Sequence, residues 1–319
     1  MGASHSSTRE FTTVDVFTST PFEGNPLAVF PHAQGLSDDA MQRIARETNL
    51  SETTFVFPAT TPQATYQVRI FTTASELPYA GHPSVGTAWL LAKMGRLALK
   101  PGSNRFTQEV KAGLLPIHID ADAQGAPVTV WTTQAKPSLD APLADRKRVA
   151  AALGLGIEDL HADLPIQKVS TGLPWLLVPL RDADALDRVR PNLAEFSGPG
   201  SLYHNVYPFT LKPKDTRMMS EARGFPLREF EDPVTGSASG CLGAYLVAHG
   251  RLRPDQILRH AQGRHLHRPG QVMVKVTVSA ERNPEEVQVG GNVVQVAEGR
   301  MAVPPQPSRT PALARPAVQ

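Results

Sequence analysis

Two short turns of this chain carry the same small-residue chemistry. Glu76-Leu77-Pro78-Tyr79-Ala80-Gly81-His82-Pro83-Ser84 leads into an apolar stretch that ends Gly95-Arg96-Leu97. Glu231-Asp232-Pro233-Val234-Thr235-Gly236-Ser237-Ala238-Ser239 leads into another that ends Gly250-Arg251-Leu252. Small residues at a helix start leave backbone N–H groups accessible, and the first turn carries about half a positive charge. Each turn is therefore suited to a carboxylate or similar anion. Packed face to face, two such units create a cleft with two anion-binding turns. His82 lies in the first turn, as a ligand contact or as a helix-start histidine satisfied by its neighbours. Asp232 precedes Pro233, either as an Asx-turn residue or as a carboxylate facing His82 and fixing its protonation.

The elements that must position these turns occur twice. A constant offset of 155 residues (236 − 81, 250 − 95) holds across the whole helix with no gap, the signature of an internal repeat. The repeated helices, Ser84 to Met94 and Ser239 to His249, are apolar nearly all round, which describes helices buried on every side. A strand-rich unit around each is the natural container. In the first copy, Phe11 to Phe17, Leu27 to Phe30, Glu52 to Phe57 and Thr65 to Phe71 read as strands. Ser37, with Asp38 and Asp39, starts a helix closed by Asn49, and Gly95 is expected as a left-handed cap. In the second copy, Leu176 to Val178, Val206 to Leu211 and Arg217 to Met219 are the expected strands. Asp184 to Val189 matches Asp39 to Ile44 at an offset of 145, so the second copy holds an insertion, with Phe225 to Phe230 the candidate. Gly125, Pro127, Pro137 and Pro142 punctuate the boundary. The expected units are residues 9–125 and 126–302, the last strands crossing back to the first. Residues 303–319, rich in Pro, Ala and Arg, are expected to form a disordered tail.

Composition narrows the class. The 319 residues are 41% hydrophobic and 19% charged with a formal net charge of +2, as in an ordinary soluble globular chain. No segment concentrates Lys or Arg with interleaved aromatics, so nucleic acid and membrane surfaces are poor partners. The single cysteine, Cys241, allows no intrachain disulfide. With no signal-like N-terminus and no apolar run of about 18 residues, a cytoplasmic location is the expectation.

Four segments, taken in order, resemble the PhzF-like phenazine-biosynthesis isomerases, within the diaminopimelate epimerase-like superfamily. They are Glu23-Gly24-Asn25-Pro26-Leu27-Ala28-Val29, Asn49-Leu50-Ser51-Glu52-Thr53-Thr54-Phe55-Val56, Glu76 to Pro83 and Glu231 to Ala238. The resemblance implies an α+β fold of two similar domains, each a mostly antiparallel barrel-like sheet around a central helix, with the active site between them. It implies a cofactor-free, metal-free isomerase that moves a proton on a small cyclic amino-acid-derived substrate of the trans-2,3-dihydro-3-hydroxyanthranilate type. Glu52 would shuttle the proton, His82 and Asp232 would hold the substrate's polar groups, and Gly81, Gly236 and Ser237 would bind its carboxylate. Asn25 either contacts ligand or stabilises its own turn. Members of such families are often dimers, so a homodimer is expected while the state stays open.

Glu52 follows a helix terminus and heads a strand; by itself it is a cap or an exposed strand-end residue as readily as a catalyst. In a cleft with apolar walls, desolvation would raise its pKa towards the range a general acid/base needs. The racemase and epimerase branch uses a cysteine at the start of each repeated turn, where this chain has Ala80 and Thr235. Cys241 lies further into the buried helix and reads as core, so paired thiol chemistry is excluded. His260, His265 and His267 match no closed tetrahedral metal spacing, and Gly154-Leu155-Gly156 lacks the rest of a dinucleotide fingerprint. The rivals are an isomerase or lyase acting on another amino-acid-derived metabolite, and a non-catalytic small-ligand or protein-binding member that kept the cleft.

Overall fold

The computed structural model describes residues 7–196, 205–226 and 231–304. The first half comprises β1 (Thr8–Val16), β2 (Asn25–Phe30), α1 (Asp38–Thr48), β3 (Glu52–Phe57) and β4 (Tyr66–Phe71). It continues through the two-residue β5 (Glu76–Leu77), α2 (Gly81–Lys93), β6 (Gly102–Val110), β7 (Gly113–Ala121) and β8 (Pro127–Thr133). The second comprises β9 (Ser138–Leu139), α3 (Arg146–Ala152), β10 (Gln167–Ser170), β11 (Pro174–Leu180), α4 (Ala183–Arg188), β12 (Val206–Thr210) and β13 (Ser220–Ala222). Then come α5 (Gly236–Ala248), β14 (Leu258–Gln262), β15 (Gly270–Val278), β16 (Pro284–Gly291) and β17 (Val293–Ala302).

The strand pairings repeat as faithfully as the motifs. β1 pairs antiparallel with β2, β2 parallel with β3, β3 antiparallel with β4, β4 parallel with β6, and β6, β7 and β8 follow as an antiparallel run. In the same order, β10 to β16 pair antiparallel, parallel, antiparallel, parallel, antiparallel and antiparallel. Each half also takes in the strand that follows the other's last: β9 pairs with β10, and β17 runs antiparallel along all of β1. β8 and β16 pair with each other at the junction, Trp131 opposite Gly290. The architecture is α+β: two similar, mostly antiparallel curled sheets, each around one helix.

Both central helices are buried along nearly their whole length, as their all-round apolar composition requires. Burying Val85, Leu90 and Leu91 contributes about 1.5–3 kcal/mol each. Close approach needs glycine in each. A Cβ at Gly86 would lie 2.7 Å from Leu27 and 2.8 Å from Val16, and one at Gly243 would lie 2.6 Å from Val274. The caps read from sequence form: Ser37 accepts from the Ala40 N–H, Asn49 closes α1 in the left-handed region, and Gly95 follows α2 at φ 73°.

Two local expectations change. Arg217 to Met219 is not a strand, because the Asp215 carboxylate accepts from the Arg217 backbone and side chain and the Met218 N–H bonds to the Asp215 carbonyl, making a turn. The strand begins at Ser220. The extra residues of the second copy precede β12 rather than filling 225–230, four of which lie outside the described residues. The repeat offset is already 154 at β3/β12 and β4/β13 (206 − 52, 220 − 66), so the insertion falls between α4 and β12. Residues 305–319 of the expected tail also lie outside the described residues. Among the described residues, no helix is long and apolar enough to cross a membrane.

Candidate active site

Four loop-to-element junctions bring the sequence-predicted residues together. Asn25 opens β2, Glu52 opens the parallel neighbour β3, and Leu27 stands opposite Glu52 in the register. The amino ends of this parallel pair therefore point the same way. Gly81 and His82 open α2, and Gly236 and Ser237 open α5. Neither helix has a side-chain cap, Ala80 and Thr235 standing at the cap positions. The two starts face one another: a Cβ at Gly81 would lie 3.8 Å from the Tyr79 hydroxyl and 4.0 Å from the Ser237 backbone nitrogen. Two positive helix ends at this separation favour an anion between them.

Glu52 Oε2 lies 3.4 Å from His82 Nε2, with the side chains 14% and 9% exposed. His82 Nε2 makes no hydrogen bond at this alignment. Burial drives the His82 pKa down to about 3, so the pair is a carboxyl group beside a neutral imidazole and not an ion pair. The carboxyl group beside His82 is thus Glu52, of the same half. The Asp232 oxygens instead meet Asn25 and Thr235. Asn25 Nδ2 donates to Asp232 Oδ1 (2.9 Å) and to the Val234 carbonyl (2.9 Å), while Thr235 Oγ1 donates to Asp232 Oδ2. Asn25 Oδ1 accepts from Ser51 Oγ (3.3 Å), the residue before Glu52. Asn25, fully buried, ties the first half's carboxyl-bearing strand to the second half's Asp232. The Ser237 hydroxyl accepts from the Trp175 indole N–H (3.1 Å) and keeps its own proton to donate.

Duplication did not duplicate the chemistry. The repeat places Val206 where the first half has Glu52, Ser237 where it has His82, and Leu77 where the second half has Asp232. At the two helix starts, a carboxyl group therefore stands beside an imidazole in the first half only. Cys241 is buried beside Thr171, and burial pushes its thiol up to about 11, so it stays protonated at neutral pH. Cys241→Ala is expected to keep turnover within about twofold while losing about 1–2 kcal/mol of stability as a small cavity forms. A collapse of kcat at unchanged stability would revive thiol chemistry.

Sequence reasoning missed two residues that shape the site. Arg69 binds Glu76 through Nε (2.7 Å) and Nη2 (2.9 Å), and Arg223 binds Glu231 through Nε (2.8 Å) and Nη2 (2.6 Å). Each guanidinium also covers a ring, Arg69 over Phe71 at 5.3 Å and Arg223 over Phe225 at 5.0 Å. These are the glutamates of the two repeated motifs. They clamp the segment before each central helix onto the strand before it, which sets where each helix starts. The signal was in the chain: Arg69 and Phe71 recur as Arg223 and Phe225 at the strand offset of 154. The Arg69 guanidinium holds the Glu76 carboxyl below its usual range, and Lys111 approaches Glu76 at 3.6 Å. Arg223 and Glu231 are more buried. Arg223→Met should therefore cost about 3–5 kcal/mol by stranding a buried carboxylate, and Arg69→Met clearly less. Urea unfolding of both variants checks the order, and equal losses would refute it.

A surface groove of about 600 Å³, lined by Leu90, Lys93, Met94, Glu298 and Arg300 among others, lies at the opposite end of α2 and holds none of these groups.

A family model described as phenazine biosynthesis-like protein (PhzC-PhzF) matches residues 14–299. The chain is 35% identical over 302 residues to a Salmonella typhimurium protein named uncharacterized isomerase YddE, covering 91% of this chain and 97% of that one. It is 32% identical over 298 residues to the trans-2,3-dihydro-3-hydroxyanthranilate isomerase of Pseudomonas aeruginosa, covering 91% and 98%. Among solved structures, the PhzF-family phenazine biosynthesis protein of Bacillus anthracis superposes with a TM-score of 0.83 at 31% identity, covering 93% and 100%.

Proposed function

The chain belongs to the phenazine biosynthesis-like (PhzC-PhzF) family, and within it we propose an isomerase that shifts a proton on a small cyclic amino-acid-derived substrate, with Glu52 as acid and base. The observation that carries this reading is the Glu52–His82 contact at the mouth of two opposed, uncapped helix starts. The substrate carboxylate lies between the backbone N–H groups at Gly81 and Gly236-Ser237. Asp232 and His82 take its polar groups, the first as an acceptor and the second as a neutral imidazole. Glu52 removes a proton from one ring carbon and returns it to another on the same face, so one carboxyl group suffices.

A neutral His82 suits this cycle. Its Nε2 offers an N–H to the Glu52 carboxylate in one tautomer and a lone pair to the carboxylic acid in the other, so neither state of Glu52 faces a fixed charge. Protonated His82 would instead pin Glu52 as carboxylate. No step is assigned to a metal or organic cofactor. The test is proton NMR of the protein with trans-2,3-dihydro-3-hydroxyanthranilate in D2O. Substrate loss with deuterium entering the ring is the expected result. Binding without exchange would overturn the isomerase assignment for this substrate and favour a ligand-binding role.

A further inference from the structure

Behind Asp232 lies a buried polar chain whose proton directions can be assigned one by one. Ser220, Tyr207, His260 and Gln262 are at most 2% exposed. The Gln262 amide is oriented by two main-chain partners. Its Oε1 accepts from the Thr235 N–H (3.1 Å), and its Nε2 donates to the Asp232 carbonyl (2.8 Å). The Tyr207 hydroxyl, 2.7 Å from Gln262 Oε1, can only donate to it. Tyr207 oxygen must then accept from His260 Nε2, also at 2.7 Å. His260 is buried and neutral, its pKa driven down to about 3, so its Nδ1 is the bare nitrogen and accepts from Ser220 Oγ (2.7 Å). At the other end, Gln262 Nε2 donates to Thr235 Oγ1 (3.0 Å), and Thr235 Oγ1 spends its proton on Asp232 Oδ2. Nearby Ser239 donates to the Thr235 carbonyl (2.8 Å) and so does not compete for Tyr207. The chain closes only because residue 224 is glycine: a Cβ there would lie 2.5 Å from Thr235 Oγ1 and 2.9 Å from Gln262 Nε2.

The first half supplies a control. Its matching polar chain runs from the Tyr66 hydroxyl to Gln108 Oε1 (3.1 Å), from Gln108 Nε2 to Ser84 Oγ (2.9 Å), and from Ser84 to the Ala80 carbonyl (2.9 Å). It ends on helix backbone, because Ala80 stands where Thr235 does and Leu77 where Asp232 does. Only the second chain ends on a carboxylate. We infer that Ser220, His260, Tyr207, Gln262 and Thr235 form a one-way hydrogen-bond chain that positions Asp232 as a double acceptor in the cleft, making Tyr207 and Gln262 positioning residues for the proposed reaction. Every donor points towards Asp232, and each link polarises the next in a dry interior. The positioning role rests on the site reading above; the direction of the chain does not.

The test separates the two. In wild-type protein, long-range 1H–15N spectra should show His260 as the Nε2–H tautomer from pH 5 to 8. Asp232→Asn, which puts an amide where the chain ends, should move the His260 Nε2–H and Gln262 amide signals. An Nδ1–H tautomer, or signals unmoved by Asp232→Asn, would overturn the chain whether or not the protein turns over any substrate. In the deuterium-exchange assay, Tyr207→Phe should lower kcat about tenfold or more with KM within about twofold. Wild-type kcat in that variant, beside an inactive Asp232→Asn, would overturn the positioning role alone. Full activity in Asp232→Asn would overturn the site reading instead.

Discussion

Glu52→Gln should reduce proton transfer by about a thousandfold or more while leaving KM and stability nearly unchanged. The substitution keeps the shape and removes only the capacity to take and return a proton. Glu52 opens β3 with its side chain 14% exposed, and glutamine fills the same volume there. Its neighbour His82 is neutral, so no ion pair is lost with it. Among the described residues, no second carboxyl group stands beside His82 to substitute. The repeat-related position is Val206, Cys241 holds its proton to about 11, and Asp232 is committed to Asn25 and Thr235. The rate of deuterium entry into the ring in D2O measures the effect directly. A Glu52→Gln protein that exchanges within tenfold of wild type would remove Glu52 from the chemistry, while loss of both exchange and stability would make it structural.

The asymmetry of the site explains what is legible in the sequence. The repeated turns, the buried helices and the Asn25 and Glu52 motifs are local strings, and local strings survive in one sequence. Their convergence is legible too, because an internal repeat implies two facing copies of one surface. What was not legible depends on partners far apart in the chain. Asn25 meets Asp232 across 207 residues and Tyr207 meets His260 across 53. No periodicity marks a buried glutamine such as Gln262 as the hub of a network. Asp232, open in sequence between an Asx-turn role and a carboxylate facing His82, accepts from the Asn25 amide and the Thr235 hydroxyl. The turn at Asp215 displaced an expected strand for a local reason, an aspartate carboxylate within reach of two N–H groups of Arg217.

Lowering the pH from 7 to 5 should destabilise the protein by about 4 kcal/mol, about 2 for each of two histidines. His82 and His260 both have their pKa values driven down to about 3 by burial, against 6.5 when unfolded. Below about 6.5 the unfolded chain binds a proton at each that the folded chain refuses. Stability is therefore fully present above 6.5 and is lost progressively as pH falls towards 3. Burial shifts His118, His161, His249 and His265 the same way and adds to the loss. Carboxylates act in a lower window. Glu76 and Asp182, held below their usual range by Arg69 and Arg181, surrender their contribution only below about pH 4. Urea unfolding at pH 7 and 5, on wild type and on His82→Gln, measures the histidine contribution. The variant should lose about 2 kcal/mol less than wild type over this interval. Equal losses would mean that His82 titrates in the folded protein, and a neutral imidazole beside Glu52 would then have to be abandoned along with the tautomer exchange that the proposed proton shift uses.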